Sequence, residues 1–442
     1  MAQPFAAETW LRRGDVPPLL LNGVYSGIVG SPIHAVYDAK SRTVQSFAQR
    51  AHHFNGFANT AQISFDDGVT WATSFNEAQN VALNEFAMTG WSMPNPSGVG
   101  MIHFQVRMAW IHATASSSGA ILSPGGISLW ASAGGSTFSK LQDLHTWPAI
   151  NEIGGARGSF AAFTLEPFAT NPILLEGSGP DGEDAYWFVS SYGFDAGGAG
   201  NPTTFSAATL WRSIDGGISW ENVRDMAPVV GTIFFSQIVK STSGRLIIVG
   251  GGGGPIQWTD GDLLTGSFTD SIFNGVSGVR GPLMEMYGGT LFTFSQGTLT
   301  GNGASWISCD NAENFGLSGD LIPQNHGGFG AKLGPTELLV VAPSFSNPVT
   351  ETCAYYSANG GEDFVISEPW LVSGTGELPV SLDIRTNGTP IVVCRGGGVF
   401  SSSDKARGVA GTRTQCPLAN AGLAPARRLI LCGGVITPDC QE

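Results

Sequence analysis

Charged side chains are scarce in this sequence, and basic side chains are the scarcer kind. Only 13% of the 442 residues are charged, and 21 Lys and Arg residues stand against 35 Asp and Glu residues, a net charge of −14. Proteins that wrap nucleic acid or bind anionic membranes need clustered positive charge. We therefore expect no nucleic acid among the partners of this chain, and the acidic surface favours solubility.

Cysteine is also rare, and its spacing argues against a metal site. The six cysteines lie at positions 309, 353, 394, 416, 432 and 440, with no Cys-x-x-Cys pair. A structural metal site needs closer ligand spacing and histidine partners. We predict no metal and no cofactor. Free buried thiols and a Cys432–Cys440 disulfide are both compatible with the sequence.

The sequence also lacks long hydrophobic segments. No stretch approaches the roughly 18 apolar residues of a membrane-spanning helix. The first residues, Met1 to Trp10, contain no basic segment followed by an apolar one, so no secretory signal is predicted. We expect synthesis in the cytoplasm and no insertion into a membrane.

Glycine, in contrast, is abundant, with 62 residues, and few segments have a helical period. Short segments of alternating apolar residues predict an all-β chain of short strands and tight turns. From about residue 230 a strand-turn-strand unit recurs, with turn glycines at Gly244, Gly289, Gly334 and Gly388. Their intervals of 45, 45 and 54 residues are typical of one β-propeller blade.

A second repeated segment follows the pattern Ser-x-Asp-x-Gly-x-Ser/Thr-Trp and is predicted to form a hairpin turn. In such a turn Asp accepts hydrogen bonds from backbone N–H groups, Gly supplies positive φ, and Trp packs beneath the turn. One intact copy consists of Ser64, Asp66, Gly68 and Trp71, and the other of Ser213, Asp215, Gly217 and Trp220. Two degraded copies have Ser308, Asp310 and Phe315, without the glycine, and Ser357, Asn359, Gly361 and Phe364, with Asn in place of Asp.

These segments resemble the Asp-box (BNR repeat) of sialidase-like β-propellers, and the resemblance covers about residues 23 to 408. It implies Asp-box hairpins between the outer strands of propeller blades. Hairpins near residues 67, 135, 216, 260, 311, 360 and 403 predict seven blades, or six if one weak unit is an insertion. We predict a propeller at 23–410, an N-terminal arm at 1–22, and a C-terminal tail at 411–442 that clasps the propeller or docks on a neighbour.

The residues that sialidase activity requires are not found at the matching positions. The family resemblance implies three arginines that grip a carboxylate, a Tyr nucleophile paired with Glu, and an Asp acid/base. Where the first arginine is expected, the sequence reads Gly30-Ser31-Pro32-Ile33-His34. A later element of the family pattern has Glu before a turn and Arg on the next strand. Here Glu285 matches the Glu, but no arginine follows on that strand. We predict a protein that is not an enzyme; if it is one, Glu285 and Tyr287 are the candidates, although their alternation also fits one polar strand face.

Aromatic residues in or near polar loops indicate a second kind of site. Aromatic rings beside Asn and Asp side chains are suited to sugar binding, because sugars present C–H faces and hydroxyl groups. The alternative is that these rings fill the space between blades. The candidates for binding are Trp91, Trp147, Trp187, Tyr192 and Phe194.

Three functions follow from these observations. A chain with no secretion signal, a fold suited to extracellular contact, and an arm and tail outside the repeat predicts a bacteriophage virion component on the tail or capsid surface. Such a protein would pair with other virion proteins in a homo-oligomer or symmetric assembly and could contact host-surface glycan. The alternatives are a divergent sialidase-like exo-glycosidase and a cellular scaffold or lectin-like propeller.

Overall fold

The computed structural model describes more than half of the chain, in separate segments. The described residues are 10–15, 34–38, 43–49, 59–77, 84–110, 126–135, 137–146, 163–196, 204–226, 234–251, 256–260, 263–273, 283–295, 304–317, 329–343, 351–361, 364–366, 370–371, 379–385, 387–394 and 398–402.

The strands of the first half of the chain form three antiparallel sheets, each made of consecutive strands. The first sheet contains β2 (His34–Asp38), β3 (Thr43–Gln49), β4 (Asn59–Ser64) and β5 (Ala72–Glu77). The second contains β6 (Asn84–Pro94), β7 (Met101–Trp110), β8 (Gly126–Ser132) and β9 (Ser139–Thr146). The third contains β10 (Phe163–Ala169), β11 (Ile173–Leu175), β12 (Ala185–Ala196), β13 (Thr204–Ser213) and β14 (Glu221–Met226).

Three further sheets follow in the second half. The fourth has β15 (Phe234–Lys240), β16 (Leu246–Gly251), β17 (Ile256–Thr259) and β18 (Thr269–Asp270). The fifth has β19 (Ile272–Phe273), β20 (Met284–Glu285), β21 (Leu291–Ser295), β22 (Ala304–Ser308) and β23 (Asn314–Leu317), with β19 parallel to β23. The sixth has β24 (Phe329–Lys332), β25 (Leu338–Pro343), β26 (Glu351–Ser357), β27 (Val365–Ile366) and β28 (Trp370–Leu371).

The seventh sheet joins strands from opposite ends of the sequence. Its strand order is β1-β31-β30-β29, formed by β1 (Trp10–Asp15), β29 (Pro379–Ile384), β30 (Pro390–Cys394) and β31 (Gly398–Ser402). The segment predicted as an arm at 1–22 thus contains a strand that pairs with the last strand described. The predicted tail at 411–442 lies outside the described residues.

The predicted fold class is confirmed: the chain is all-β, and its repeated four-stranded antiparallel meanders are those of a β-propeller. Seven sheets are formed by the described residues, and each predicted hairpin lies in or directly after a different sheet. The described residues contain one helical segment, a 3₁₀ turn at Tyr287–Gly289. No helix in the described part of the chain has the length and hydropathy needed to cross a membrane.

Three of the four predicted turn glycines occupy equivalent positions. Gly244, Gly289 and Gly388 have φ angles of 91°, 79° and 80°, and each donates its N–H to the carbonyl three residues before it. Positive φ is costly for residues with a Cβ atom, which explains the glycine. Gly334 differs, because its φ is not positive and its N–H bonds to the carbonyl of Glu337.

The sheets lie in two compact units, and each unit has its own apolar core. In the unit formed by residues 13–236 with 393–399, a cluster of aromatic rings joins the second and third sheets, among them Trp91, Phe104, Phe188, Trp211 and Trp220. The unit that includes residues 237–392 has two clusters. One contains Phe292, Phe294, Leu338, Val340, Tyr355 and Phe364, and the other Ile247, Val249, Leu291, Trp306, Ala312 and Phe315.

Candidate functional site

Four turns at 64–71, 213–220, 308–315 and 357–364, here called the serine turns, contain the same buried hydroxyl. Each serine donates its hydroxyl proton to the Asp or Asn side chain two residues later, over 2.8 Å to 2.9 Å. Each also accepts the backbone N–H of the residue four positions later, over 2.7 Å to 2.9 Å. The serine side chain is therefore the centre of the turn, and the sequence pattern predicts its position in all four copies.

The carboxylate of the first three serine turns completes the network. Asp66 accepts hydrogen bonds from the Thr70 backbone N–H at 2.8 Å and from its hydroxyl at 2.6 Å. Asp215 bonds to Ser219 in the same way, at 2.9 Å and 2.5 Å. In the third turn Asn314 replaces the hydroxyl residue and donates its side-chain N–H to Asp310 at 2.7 Å. An amide thus substitutes for the hydroxyl, because both groups donate one proton toward the carboxylate.

The third serine turn forms without its glycine. Ala312 stands at the glycine position and adopts a φ of 74°, and its neighbour Asn311 adopts 58°. The Ala312 methyl group is fully buried in the core of its unit. Burial of this methyl group offsets part of the cost of the left-handed conformation.

Hydrogen bonds within the turns also control the ionisation of their carboxylates. Partial burial raises the pKa of Asp66, but bonds from Thr70, Ser64 and Val69 outweigh it and lower this pKa to about 2. The pKa values of Asp215 and Asp310 are lowered below the ordinary value for the same balance of causes. These groups remain ionised at neutral pH, where they serve as hydrogen-bond acceptors within the turn.

The aromatic residue at the end of each intact serine turn anchors it to the sheet. Trp71 and Trp220 each donate the indole N–H to the carbonyl of the turn glycine, at 3.1 Å in both cases. Trp220 is 6% exposed and its ring meets Phe188 edge-on at 4.7 Å, whereas Trp71 is only half-buried. The second intact turn is thus tied to the core more firmly than the first.

The candidate acid Glu285 is engaged in a structural contact. Its carboxylate accepts the Thr242 backbone N–H at 2.8 Å and 3.0 Å, one distance to each oxygen, and the Thr242 hydroxyl at 2.6 Å. Its backbone carbonyl accepts a bond from Lys332 Nζ at 2.8 Å. These contacts connect turns at the ends of the fourth, fifth and sixth sheets. The interpretation that Glu285 and Tyr287 share one strand face is wrong, because β20 ends at Glu285 and Tyr287 begins the 3₁₀ turn.

The described members of the predicted aromatic binding set do not form an exposed surface. Trp91 is 3% exposed and packs between Phe104 at 5.7 Å and Phe188 at 5.2 Å. Trp187 is 1% exposed and donates its indole N–H to Ser178. Neither ring has a free face on which a sugar could stack, so both correspond to the space-filling alternative.

Of the other three members of that set, two lie in a strand and one lies outside the described residues. Tyr192 and Phe194 lie within β12, paired through their backbones with both β10 and β13, and are not in a loop. Trp147 lies outside the described residues.

Sequence reasoning missed a cluster around Arg245. This side chain is 7% exposed, binds both oxygens of Asp260 at 2.6 Å and 2.7 Å, and donates to the Asn311 carbonyl at 2.8 Å and to Glu313 at 3.0 Å. Its guanidinium also lies 3.7 Å from the centre of the Trp258 ring. Hydrogen bonds from Arg245 lower the pKa of Asp260 below its ordinary value. A fork of N–H donors explains why the position is arginine and not lysine.

Two other arginines are buried beside tryptophan in the same manner. Arg107 lies 4.1 Å from the ring centre of Trp130, and Arg212 lies 5.5 Å from that of Trp187. The sequence carries a weak signal for them, since each arginine lies within an apolar strand where a charge requires a partner. Acidic loop residues are also used internally, because Gly177 donates its N–H to Asp184 and Asp181 donates its N–H to Glu183. Within the described ranges, no group of three or more His, Cys, Asp or Glu residues is arranged to hold a metal ion.

His145 connects the second sheet to the third. Its Nε2 lies 2.7 Å from the Ser190 hydroxyl, which also accepts the indole N–H of Trp211 at 2.7 Å. Desolvation by burial lowers the pKa of His145 to about 4, although a bond to Ser190 and the charge of Asp225 raise it in part. The imidazole is consequently neutral at physiological pH.

We predict a stability change with pH from this histidine. Its folded-state pKa is below the unfolded value near 6.5, so protons bind the unfolded chain first. Stability should be unaffected above about pH 6.5 and should fall, by up to about 3 kcal/mol in total, as the pH decreases toward 4. Urea unfolding at a series of pH values measures this slope, and His145→Gln should flatten it between pH 6.5 and 4. An equally steep slope in that variant would contradict the prediction.

The fold and these turns define an all-β chain of repeated, mainly antiparallel sheets of the β-propeller class. No family model matches the sequence, and no curated protein matches it. Similar solved structures include the Hadza microbial sialidase Hz136, at 12% identity over 79% of this chain and 73% of that chain, with a TM-score of 0.42.

Two more structures cover a larger share of the chain. The structure "YCF48 bound to D1 peptide" is 12% identical over 91% of this chain and 99% of that chain, with a TM-score of 0.47. The α-L-arabinofuranosidase Arb93A from Fusarium graminearum is 12% identical over 85% of this chain and 99% of that chain, with a TM-score of 0.38. Similarity at this level carries no assignment of activity.

Proposed function

We propose that this chain is a non-enzymatic β-propeller with a structural and binding role. The observation that supports the proposal is the use of Glu285, whose carboxylate accepts three hydrogen bonds from Thr242. A general acid must be free to exchange a proton with substrate. Here the carboxylate is instead a structural hydrogen-bond acceptor that links turns of neighbouring sheets. Asp66, Asp215 and Asp310 are also structural acceptors, each within its own serine turn. We further propose that these turns are Asp-box hairpins.

We further propose that the protein is a bacteriophage virion component, on the tail or capsid surface. The acidic composition and the predicted segment after the repeat, at 411–442, support this assignment. The partners would be other virion proteins in a symmetric assembly that includes further copies of this chain. Host-surface glycan is a proposed contact, and the residues that would bind it do not include Trp91 or Trp187.

The mass of the native particle that contains this chain tests the assembly. Imaging and light scattering should find a particle of megadalton size with the chain in fixed symmetric copies. A free monomer of 46.1 kDa in the native source would contradict the assembly.

The activity is tested separately, on purified protein with a set of glycoside substrates. We expect no turnover by the natural sequence, and we expect Glu285→Gln to reduce stability by about 1 kcal/mol because it weakens the bonds from Thr242. Tyr287→Phe is the second variant. Turnover that is lost in both variants, in protein that still folds, would establish the alternative of a divergent exo-glycosidase.

A further inference from the structure

Two Asn-Gly dipeptides lie in the described part of the chain, Asn359-Gly360 and Asn387-Gly388. In this dipeptide the backbone nitrogen of glycine can attack the side-chain amide carbon of asparagine, because glycine has no Cβ to obstruct it. Both dipeptides occur in turns of the same unit, but their surroundings differ. That difference decides which of them is reactive in the folded protein.

We propose that Asn387 is a site of spontaneous deamidation in the folded protein, whereas Asn359 is protected. Asn387 is exposed, and its side-chain oxygen accepts the Thr389 backbone N–H at 3.0 Å. The Asn359 oxygen accepts a similar bond from Ser357, so exposure and the release of the glycine nitrogen, and not polarisation of the amide, distinguish the two sites. Gly388 and Thr389, which follow Asn387 in the turn, are themselves partly exposed, so solvent reaches the dipeptide.

The attacking nitrogen must first be released from its own hydrogen bond. The Gly388 N–H donates to the Arg385 carbonyl at 2.8 Å, and the Arg385 N–H donates to the Thr389 carbonyl at 2.9 Å, in the short turn between β29 and β30. Opening such a turn breaks few contacts and requires little free energy. We therefore expect this turn to open to reactive conformations more often than the serine turn that contains Asn359.

Asn359 is held by contacts that resist such opening. Its side-chain oxygen accepts the Ser357 hydroxyl at 2.9 Å, and the Gly360 N–H donates to the Thr336 carbonyl at 2.7 Å. The next residue, Gly361, is buried against the Phe292 ring. Release of the Gly360 nitrogen requires the whole serine turn to leave the core, which costs much more than opening an exposed turn tip.

The reaction balances with water as the only co-reactant. The Gly388 nitrogen loses its proton to a solvent base and forms a bond to the Asn387 Cγ, and the amide nitrogen leaves as ammonia. Water then opens the cyclic imide at either carbonyl and gives aspartate or isoaspartate. The product adds a negative charge to the turn, and isoaspartate also lengthens the backbone there by one carbon.

The test follows both dipeptides in the full-length chain, incubated at mildly alkaline pH with and without urea. Peptide mass spectrometry detects the exchange of NH₂ for OH, and isoaspartyl methyltransferase detects isoaspartate. In the native protein we expect Asn387 to deamidate roughly tenfold or more faster than Asn359, and in urea we expect comparable rates. The variant Asn387→Gln should remove the native signal, because its longer side chain does not close the five-membered ring.

Either of two results in the native protein would overturn the proposal. One is an Asn387 rate equal to or below that of Asn359, and the other is no conversion of Asn387 while the urea sample reacts. Comparable unfolding midpoints for the natural sequence and Asn387→Gln would show that the variant retains its fold.

Discussion

Gly361→Ala is expected to destabilise the unit that contains it by about 3 kcal/mol, the combined cost of left-handed strain and overpacking. Gly361 adopts a φ of 91°, and a Cβ atom at this position would lie 2.4 Å from Cε2 of Phe292. Phe292 is fully buried and belongs to the core cluster that the fifth and sixth sheets share. Its ring has little room to move, so the backbone of the turn must shift. Urea unfolding followed by tryptophan fluorescence measures the loss.

The adjacent residue supplies a matched control for Gly361→Ala. Gly360 adopts a φ of 73°, but a Cβ atom there would meet nothing within 4 Å. Gly360→Ala should therefore cost only the strain of the left-handed conformation, about 1 kcal/mol. Equal losses in the two variants would mean that contact with Phe292 does not limit the turn.

Trp220→Ala is expected to have a larger effect, about 4 kcal/mol, because it empties a large volume in a packed core. The indole is 6% exposed, contacts Phe188 edge-on, and donates a hydrogen bond to the Gly217 carbonyl. Its removal leaves a cavity beneath the serine turn and an unpaired carbonyl group. The free energy of unfolding, from urea titration, should show the loss.

Two further variants separate the contributions of packing and hydrogen bonding. Trp220→Phe keeps most of the packing and loses the indole N–H, so it should cost about 1 kcal/mol. Trp71→Ala removes the equivalent residue of the first intact turn, which is half-buried, and should cost less than half as much as Trp220→Ala. A loss at Trp71 as large as at Trp220 would contradict the role of burial.

The serine turns were predictable from the sequence because each is held together by local hydrogen bonds. Ser213, Asp215 and Ser219 lie within seven residues and bond to one another whatever surrounds them. The degraded copy at Ser308 forms the same network, since an amide replaces the hydroxyl and Ala312 accepts positive φ. Local chemistry of this kind tolerates substitution and so remains visible in the sequence.

The candidate site was less predictable, because burial and partners depend on contacts far apart in the sequence. Trp91 stands near a polar loop in the sequence, yet it is enclosed by Phe104 and Phe188. The sequence suggests Glu285 as a catalytic acid, but in the structure its carboxylate is bound by Thr242, which is 43 residues away. Arg245 gives little indication of its partner Glu313, which lies 68 residues later.

The all-β class, the repeated hairpins and the positions of the serine turns follow from local sequence patterns, because strand alternation and turn hydrogen bonds involve neighbouring residues. Three features instead depend on contacts between distant segments: which aromatic rings are buried, what the carboxylates bind, and the pairing of Trp10–Asp15 with the last described strand. These outcomes depend on which sheets pack together. Side-chain alternation assigns a residue to one face of its strand, but it does not determine which other segment of the chain packs against that face.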